Sequence, residues 1–303
     1  MSVKESGAAG QAFDAGEVIL HHVSNSSIEH PLLHLPTFFG IDFSVTKHVL
    51  MLWIAAIIVF TLVTLTVRKY LKQDRPVPSG FMNALEAIVQ FIRDTIVLPN
   101  VGNKYLNSWT PLVLTFFFFI LTANALGMIP VFDLIGALNW AFFHNHFISD
   151  YLLHGGTTST GNYNVTAGLA TITFMAIIFA GVKAHGFIQH WKNLVPHGLA
   201  WPVYIILIPI EIIGMFVKPF ALTMRLAANM TGGHIAILAI LSFVFIFTGL
   251  FQSVLAGIGV GVAISVPLAV GISALEIIVV LVQAYVFTML SAVFIGMAIN
   301  VHH

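Results

Sequence analysis

The sequence predicts an all-α polytopic membrane protein, and three observations carry this prediction. Only 8% of the 303 residues are charged, compared with roughly 25% in a soluble domain, so the charges are too few to cover a water-exposed surface. Apolar residues make up 58% of the chain. Charge-free runs such as 105–132 and 226–275 are long enough to cross a hydrocarbon layer as helices. We therefore predict about five membrane helices and one amphipathic interfacial helix.

The net charge and the cysteine content exclude several functional classes. The formal net charge is zero, so the chain lacks the basic face that nucleic-acid binding requires, and we expect no nucleic-acid partner. The absence of cysteine excludes disulfides, iron–sulfur clusters and thiolate zinc sites. The histidines of the tail and loops form no ligand set of fixed spacing, so we expect neither a metal site nor a cofactor.

The N-terminal part predicts an external tail followed by a first span. Residues 1–46 are polar and carry several histidines, and we predict that they lie outside a single membrane domain formed by residues 47–303. The first span, over about 49–67, ends at Arg68 and Lys69. Basic residues favour the cytoplasmic side, so this end of the span is predicted to be cytoplasmic and the N-terminus external, that is, periplasmic.

A helix over about 80–98 is predicted to lie at the cytoplasmic interface. Apolar residues recur there at helical spacing, while amide and charged residues fall on the other side. Such a helix suits a membrane surface, and packing against a partner protein is an equally open alternative.

Two further spans are predicted over about 109–130 and 165–190. The connection between them, 131–164, contains no lysine or arginine, which is typical of an external loop. The third span returns toward Lys183 and Lys192 on the cytoplasmic side. The orientation rule therefore gives one consistent topology through three spans.

The final third predicts two long helices, over about 199–249 and 263–300, that form a tilted antiparallel hairpin with a cytoplasmic C-terminus. An unbroken helix over the first range would be roughly 75 Å long, more than twice the ~30 Å hydrocarbon thickness. It must therefore tilt steeply, bend or break. The candidate positions for a bend or break are Pro209, Pro219 and the Gly232–Gly233 pair.

A polar stripe lies within the first of these helices. Glu211, Lys218 and Arg225 are spaced seven apart, so they share one face of an ideal helix, and Asn229 continues the stripe one turn later. An ionisable group in a bilayer costs at least ~2.5 to 3.5 kcal/mol, so the stripe predicts an aqueous cavity or a partner protein. A buried ion pair that holds two helices together is the structural alternative.

The last helix carries a matching pair, Glu276 and Gln283. Facing residues of an antiparallel pair have a nearly constant sum of residue numbers, and Arg225 with Gln283 gives 508 while His234 with Glu276 gives 510. One register therefore brings both polar pairs together. His234 lies nine residues after Arg225, about half a turn away on an ideal helix. On an ideal helix, Arg225 and His234 would therefore point to opposite sides. Either the helix is distorted at the Gly232–Gly233 pair, or the two residues face two different compartments.

These residues carry a resemblance to a known family, subunit a of the rotary proton-translocating ATP synthase. The matching motifs are Glu211-x6-Lys218-Pro219-x5-Arg225-x3-Asn229-x4-His234, then Glu276-x6-Gln283-Ala284-Tyr285-Val286-Phe287, and in an earlier span Asn124-Ala125-Leu126-Gly127-Met128-Ile129-Pro130. The resemblance extends over roughly residues 49–298.

The resemblance implies a proton-channel stator subunit of the membrane Fo sector, which is not an enzyme by itself. Such a subunit forms two aqueous half-channels against a rotating c-ring and couples proton flow to rotation and ATP synthesis. The implied partners are the c-ring, peripheral-stalk subunit b, the rest of the ATP synthase complex and the lipid of a cell inner membrane.

The resemblance also implies roles for individual residues. Arg225 would separate the two half-channels and Gln283 would hold Arg225 or its water. The remaining positions would be His234 and Glu276 in the external half-path, Glu211 in the cytoplasmic half-path and Asn229 in the cavity lining. Three alternatives stay open from the residues alone: an intramembrane hydrolase with Glu276 as base and His234 as metal ligand, a partner-independent secondary transporter, and a membrane scaffold.

Overall fold

All secondary-structure elements within the described residues are helices, which confirms the predicted all-α class. The structure is a computed structural model that describes residues 44–72, 79–129, 158–193, 201–251 and 254–300, together with Gly16, Pro36 and Asn139. Five helical stretches within these residues are long and apolar enough to cross a membrane, as predicted. The predicted external tail and most of the predicted loop over 131–164 lie outside the described residues.

The chain divides into two compact units. The larger unit contains His48–Val131, Thr158–Met230 and Ile278–His303, and the described part of the smaller unit is mainly Thr231–Ile277. The predicted organisation as one membrane domain over 47–303 stays a prediction. Each unit is described below by itself.

In the larger unit, the predicted amphipathic helix buries part of its apolar stripe. Helix α1 spans Lys47–Leu71 and α2 spans Phe81–Phe91. Leu85 of α2 is buried, as are Ile92 and Ile96 further along the stripe, whereas Phe81 and Ile88 are exposed. The amide and charged residues of the adjacent polar face are exposed, except for the half-buried Glu86. Arg93 and Asp94 of this face form a surface ion pair of 3.6 Å, which contributes little to stability.

The amphipathic helix continues into the second span without a loop, unlike the separate elements predicted over 80–98 and 109–130. A π-helical segment, Ile92–Val97, joins α2 to α3, Leu98–Met128. The Leu98 N–H bonds to the carbonyl of Arg93, five residues back, just before Pro99, which has no N–H to donate. The chain changes direction at Gly102, inside α3, and not at Pro99. The φ and ψ angles of Gly102 are 72° and 166°. Glycine adopts this backbone conformation without the strain that a side chain would add.

The third span is shorter than the predicted 165–190. Helix α4, Tyr163–His185, begins with an Asn162 side chain that accepts a hydrogen bond from the Asn164 N–H at 2.8 Å. It ends at Gly186, whose φ is 87°, and a short helix α5, Phe187–Lys192, follows. The prediction missed this end because a single glycine, here between His185 and Phe187, gives no periodicity signal.

Of the last two helices, the first has the predicted length and the second is longer than predicted. Helix α6, Trp201–Phe251, has 51 residues and stays helical through Pro209, Pro219 and the glycine pair, so of the predicted outcomes the break does not occur. Helix α7, Val254–Ile299, begins nine residues before the predicted start at 263, because its glycine-rich beginning is also helical. There a Cβ at Gly261 would lie 2.7 Å from the Cα of Val244, so glycine permits close helix approach in the smaller unit.

Helices α6 and α7 run antiparallel within each unit, which confirms the predicted hairpin. In the larger unit, Asn229 contacts Gln283 and Lys218 contacts Phe294, and both pairs of residue numbers sum to 512. In the smaller unit, His234 lies beside Glu276, and this pair sums to 510.

The core of the larger unit lies where α3, α4, α6 and α7 meet. Small residues such as Ala284 and Ala292 alternate with large ones such as Phe287, and all three are fully buried. The Phe287 ring packs edge-on against Phe116, with 5.6 Å between the ring centres. Other fully or nearly fully buried members are Val113, Ile120, Ala170, Ala180, Leu222, Leu226 and Ile295.

Replacing Gly296 by alanine is expected to destabilise this packing by about 1 to 3 kcal/mol. A Cβ at Gly296 of α7 would lie 2.5 Å from the backbone oxygen of Asn100 and 2.9 Å from its carbonyl carbon, so backbone must move. The control is Gly168→Ala in α4, where a Cβ meets nothing within 4 Å. Thermal inactivation of the detergent-solubilised protein should occur at a lower temperature for Gly296→Ala only, and equal transitions would contradict the packing argument.

Candidate functional site

Arg225 is an exposed cation in the middle of an apolar helix. Its side chain is exposed, while the next two residues of α6, Leu226 and Ala227, are fully buried. Within the part of the chain that the structure describes, the guanidinium forms no hydrogen bond and no ion pair. A guanidinium keeps its charge at any physiological pH, so its charge must be matched by water or by a group on another molecule.

Lys218 and Glu211, which precede Arg225 in the stripe, do not form an ion pair with each other. Both side chains are half-buried. The Nζ atom of Lys218 lies 5.7 Å from the centre of the Phe294 ring of α7, within the range of a cation–π interaction. The ammonium group of Lys218 therefore lies against an aromatic ring of α7 and not beside the Glu211 carboxylate.

Asn229 and Gln283 form the direct contact between α6 and α7 in the stripe. The Asn229 Nδ2 donates to Gln283 Oε1 at 2.8 Å. Gln283 is buried, and its own Nε2 has no hydrogen-bond partner within the described residues. The sequence predicted Gln283 opposite Arg225, and the structure places it opposite the residue one turn later. The Nε2 group of Gln283 only donates hydrogen bonds, so it cannot accept one from the guanidinium of Arg225.

His234 and Glu276 lie together in the smaller unit, as the sequence predicted. The His234 Nδ1 and Glu276 Oε1 atoms are 4.0 Å apart, which is close enough for an ion pair and too far for a hydrogen bond. Glu276 is only 5% exposed, and its Oε1 has no hydrogen-bond partner among the described residues. A shortening of about 1 Å would let the two groups exchange a proton.

Gly233 is a site residue that the sequence did not identify as such. A Cβ at Gly233 would lie 2.7 Å from Oε1 of Glu276 and 3.1 Å from its Cδ, so the missing side chain makes room for the carboxyl group. The sequence suggested only a backbone distortion at the Gly232–Gly233 pair. The sequence does show a glycine directly before His234. That this glycine leaves space for Glu276 becomes visible only when the facing helix is in place.

Asn124, in the motif of the second span, is a further buried polar residue of the larger unit. It is fully buried, and neither Nδ2 nor Oδ1 has a hydrogen-bond partner within the described residues. A buried amide without partners costs free energy unless water reaches it. In the next turn of α3, Gly127 is closely approached by the Thr158 side chain, where any Cβ would clash.

The chemistry available at the site is proton exchange and charge separation. Arg225 offers a permanent cation, and Asn229 and Gln283 offer two amides. In the smaller unit, a buried carboxyl group lies beside an imidazole, and both of these groups can donate and accept protons. No group of three or more potential metal ligands occurs within the described ranges.

Comparison with known proteins gives one answer. A family profile described as "ATP synthase A chain" matches residues 49–296. The chain is 44% identical to "ATP synthase subunit a 2" of Chlorobium luteolum over 292 residues, which covers 94% of this chain and 76% of the relative. It is 40% identical to "ATP synthase subunit a 2" of Prosthecochloris aestuarii (96% and 82% covered) and 37% identical to "ATP synthase subunit a" of Anaeromyxobacter dehalogenans (95% and 71% covered).

Proposed function

The chain belongs to the ATP synthase A chain family, and from this premise we propose how its residues move protons. It is a multi-pass membrane protein and the proton-channel subunit of the Fo sector, it acts within the ATP synthase complex, and it is not an enzyme on its own. The intramembrane hydrolase and the partner-independent transporter are not favoured by this membership.

Arg225 is the proposed separator of the two half-channels. The observation that supports this role is an exposed guanidinium, unpaired within the described residues, on an apolar helix. Such a group attracts a deprotonated carboxylate on a passing ring helix and lowers the pKa of that carboxylate, which favours proton release. Because the guanidinium cannot give up its proton, it also interrupts any continuous path for protons.

His234 and Glu276 are proposed to carry protons in the external half-channel. The carboxyl group is buried, its Oε1 has no hydrogen-bond partner within the described residues, and the imidazole lies 4.0 Å away and is partly exposed. This geometry lets His234 take up a proton from water and pass it to Glu276, or the reverse, with a small movement. Charge on either member also stabilises the opposite charge on the other.

The remaining stripe residues are proposed to serve the cytoplasmic side and the ring interface. Asn229 and Gln283 fix α6 against α7 through their amide contact. The Nε2 of Gln283, which has no partner in the described part of the chain, then orders water near the path. Glu211 is half-buried about four helical turns before Arg225, and we propose that it provides the exit toward the cytoplasm.

The proposed partners are the c-ring at the Arg225 face and peripheral-stalk subunit b at α2. The basic end of α1, with Arg68 and Lys69 in its last turn, supports a cytoplasmic position for this end. The N-terminus is then external and the C-terminus cytoplasmic, in an inner membrane.

Disulfide crosslinking tests the position of the c-ring. The chain has no cysteine, so a single cysteine is a clean reporter. Ala228 is exposed one turn from Arg225, whereas Ala227 is fully buried. We expect Ala228→Cys, and not Ala227→Cys, to crosslink to a cysteine on the ring helix in native membranes. Absence of crosslinking to ring cysteines at any height would contradict the assignment of this face.

Replacing Gly233 by alanine is expected to slow ATP-driven proton pumping about tenfold, which corresponds to about 1.4 kcal/mol in the barrier. The added Cβ would meet the Glu276 carboxyl group and displace it from His234. Gly232→Ala is the matched control, because a Cβ there meets nothing within 4 Å. Pumping is measured in inverted vesicles with equal amounts of assembled complex. Equal rates in the two variants would show that clearance at Glu276 is unimportant.

A further inference from the structure

A cavity of about 510 Å³ lies among α1, α2 and α3 in the larger unit. Its wall on α1 runs from Ala56 to Val67, roughly 16 Å along the helix, which is about half of the ~30 Å hydrocarbon thickness. The other walls are mostly apolar side chains such as Leu85, Leu114 and Phe118. The cavity therefore has the depth and the lining that suit one acyl chain of a single leaflet.

A smaller recess adjoins the end of this cavity. It has a volume of about 290 Å³ and shares Met82 with the apolar cavity. Its lining combines apolar residues such as Leu65 and Phe81 with the polar residues Lys69, Tyr70 and Ser79. Lys69 is exposed and forms no ion pair within the described residues. The order along α1 is thus an apolar channel followed by a cation with hydroxyl groups, which is the order of acyl chain and phosphate in a phospholipid.

Glu86 adds a negative group to the wall of the apolar cavity. It lies one turn after Met82 on α2, close to the border between cavity and recess. Its Oε1 accepts a hydrogen bond from Gln90 at 3.3 Å, and its buried Oε2 has no hydrogen-bond partner among the described residues. A buried carboxylate oxygen without a donor is costly, so this position favours a ligand that carries one.

We propose that the cavity binds an aminophospholipid of the phosphatidylethanolamine type. One acyl chain fills the apolar part, the phosphate lies at Lys69, and the primary ammonium lies at Glu86. A purely anionic headgroup would place a second negative charge near Glu86, and a choline headgroup has no N–H to donate to its carboxyl group. Charge complementarity to both a cation and an anion therefore selects the ethanolamine headgroup.

Native mass spectrometry of the complete, detergent-purified ATP synthase complex tests this site. The complex is incubated with equal amounts of phosphatidylethanolamine, phosphatidylcholine and phosphatidylglycerol, and the lipid retained on this chain after subunit release is counted. We expect preferential retention of phosphatidylethanolamine, reduced about tenfold by Glu86→Gln through loss of a charge-assisted hydrogen bond. The matched control is Asp94→Asn, which removes an exposed carboxylate of the next helical segment outside the cavity.

A second pair of variants tests the phosphate end. Lys69→Gln should lower the retention of all three phospholipids, whereas Lys104→Gln, an exposed lysine outside both cavities, should not. Equal retention of the three headgroups by the unmodified complex, or unchanged retention in both Glu86→Gln and Lys69→Gln, would overturn the proposal. A helix of another subunit that occupies the cavity in the assembled complex would overturn it as well.

Discussion

Replacing Arg225 by alanine is expected to abolish ATP-driven proton pumping, with a loss of at least about 100-fold, or ~2.7 kcal/mol. The guanidinium is exposed on α6 and has no partner within the described residues, so its removal breaks no internal contact and the fold should persist. What is lost is the fixed positive charge that draws the proton off each passing ring carboxylate and blocks direct leakage. Pumping is followed with a pH-sensitive dye in inverted vesicles that contain the assembled complex.

Two companion variants separate the position of Arg225 from its charge. Lys218→Ala removes another cation of the same stripe, whose Nζ contacts the Phe294 ring, and should retain most of the pumping activity. Arg225→Lys keeps a cation in place, but an ammonium near the bilayer interior can lose its proton, so this variant should also be strongly impaired. Pumping by Arg225→Ala at a near wild-type rate would refute the separator role, and equal losses in Arg225→Ala and Lys218→Ala would refute its specificity for position.

The fold was largely predictable because it depends on length and periodicity. A charge-free run of about twenty residues has few stable conformations in a bilayer besides a helix, so the number of spans follows from the sequence. The register of α6 against α7 was also predictable to within about one turn, because polar residues in an apolar hairpin must face each other. The ends of helices were less predictable. Gly102 and Gly186 change the chain direction through positive φ values, whereas Gly261 lies inside a helix, and composition alone does not distinguish these cases.

The contacts at the candidate site were only partly predictable. The sequence paired His234 with Glu276 correctly but paired Gln283 with Arg225, whereas Gln283 contacts Asn229. Arg225 and Asn229 are one helical turn apart, so either residue could face Gln283. Which of the two contacts Gln283 depends on side-chain geometry, and residue spacing does not determine that geometry. The role of Gly233 was not predictable for a related reason, because clearance for Glu276 is a property of the space between two helices.

Replacing Glu276 by glutamine is expected to slow proton flux strongly, about 100-fold, while the subunit remains assembled. Glutamine keeps the shape of the side chain but cannot take up or release a proton near neutral pH. The subunit should remain assembled because the native carboxylate contributes little to stability. Glu276 is 5% exposed, and its Oε1 has no hydrogen-bond partner among the described residues. Removing an incompletely paired buried charge is usually neutral or stabilising. Loss of the subunit from the complex would therefore indicate a structural role instead.

The double variant His234→Gln/Glu276→Gln decides whether the two groups act as one proton-exchange unit. If His234 and Glu276 pass a proton between them, removing either one breaks the same step, so the double variant should pump no more slowly than the slower single variant. If each group acts independently, the two losses should multiply. The 4.0 Å separation of Nδ1 and Oε1 favours the first outcome, because no other described acid or base lies as close to Glu276. Multiplicative losses would place the two residues on separate paths and leave Glu276 without an exchange partner on this chain.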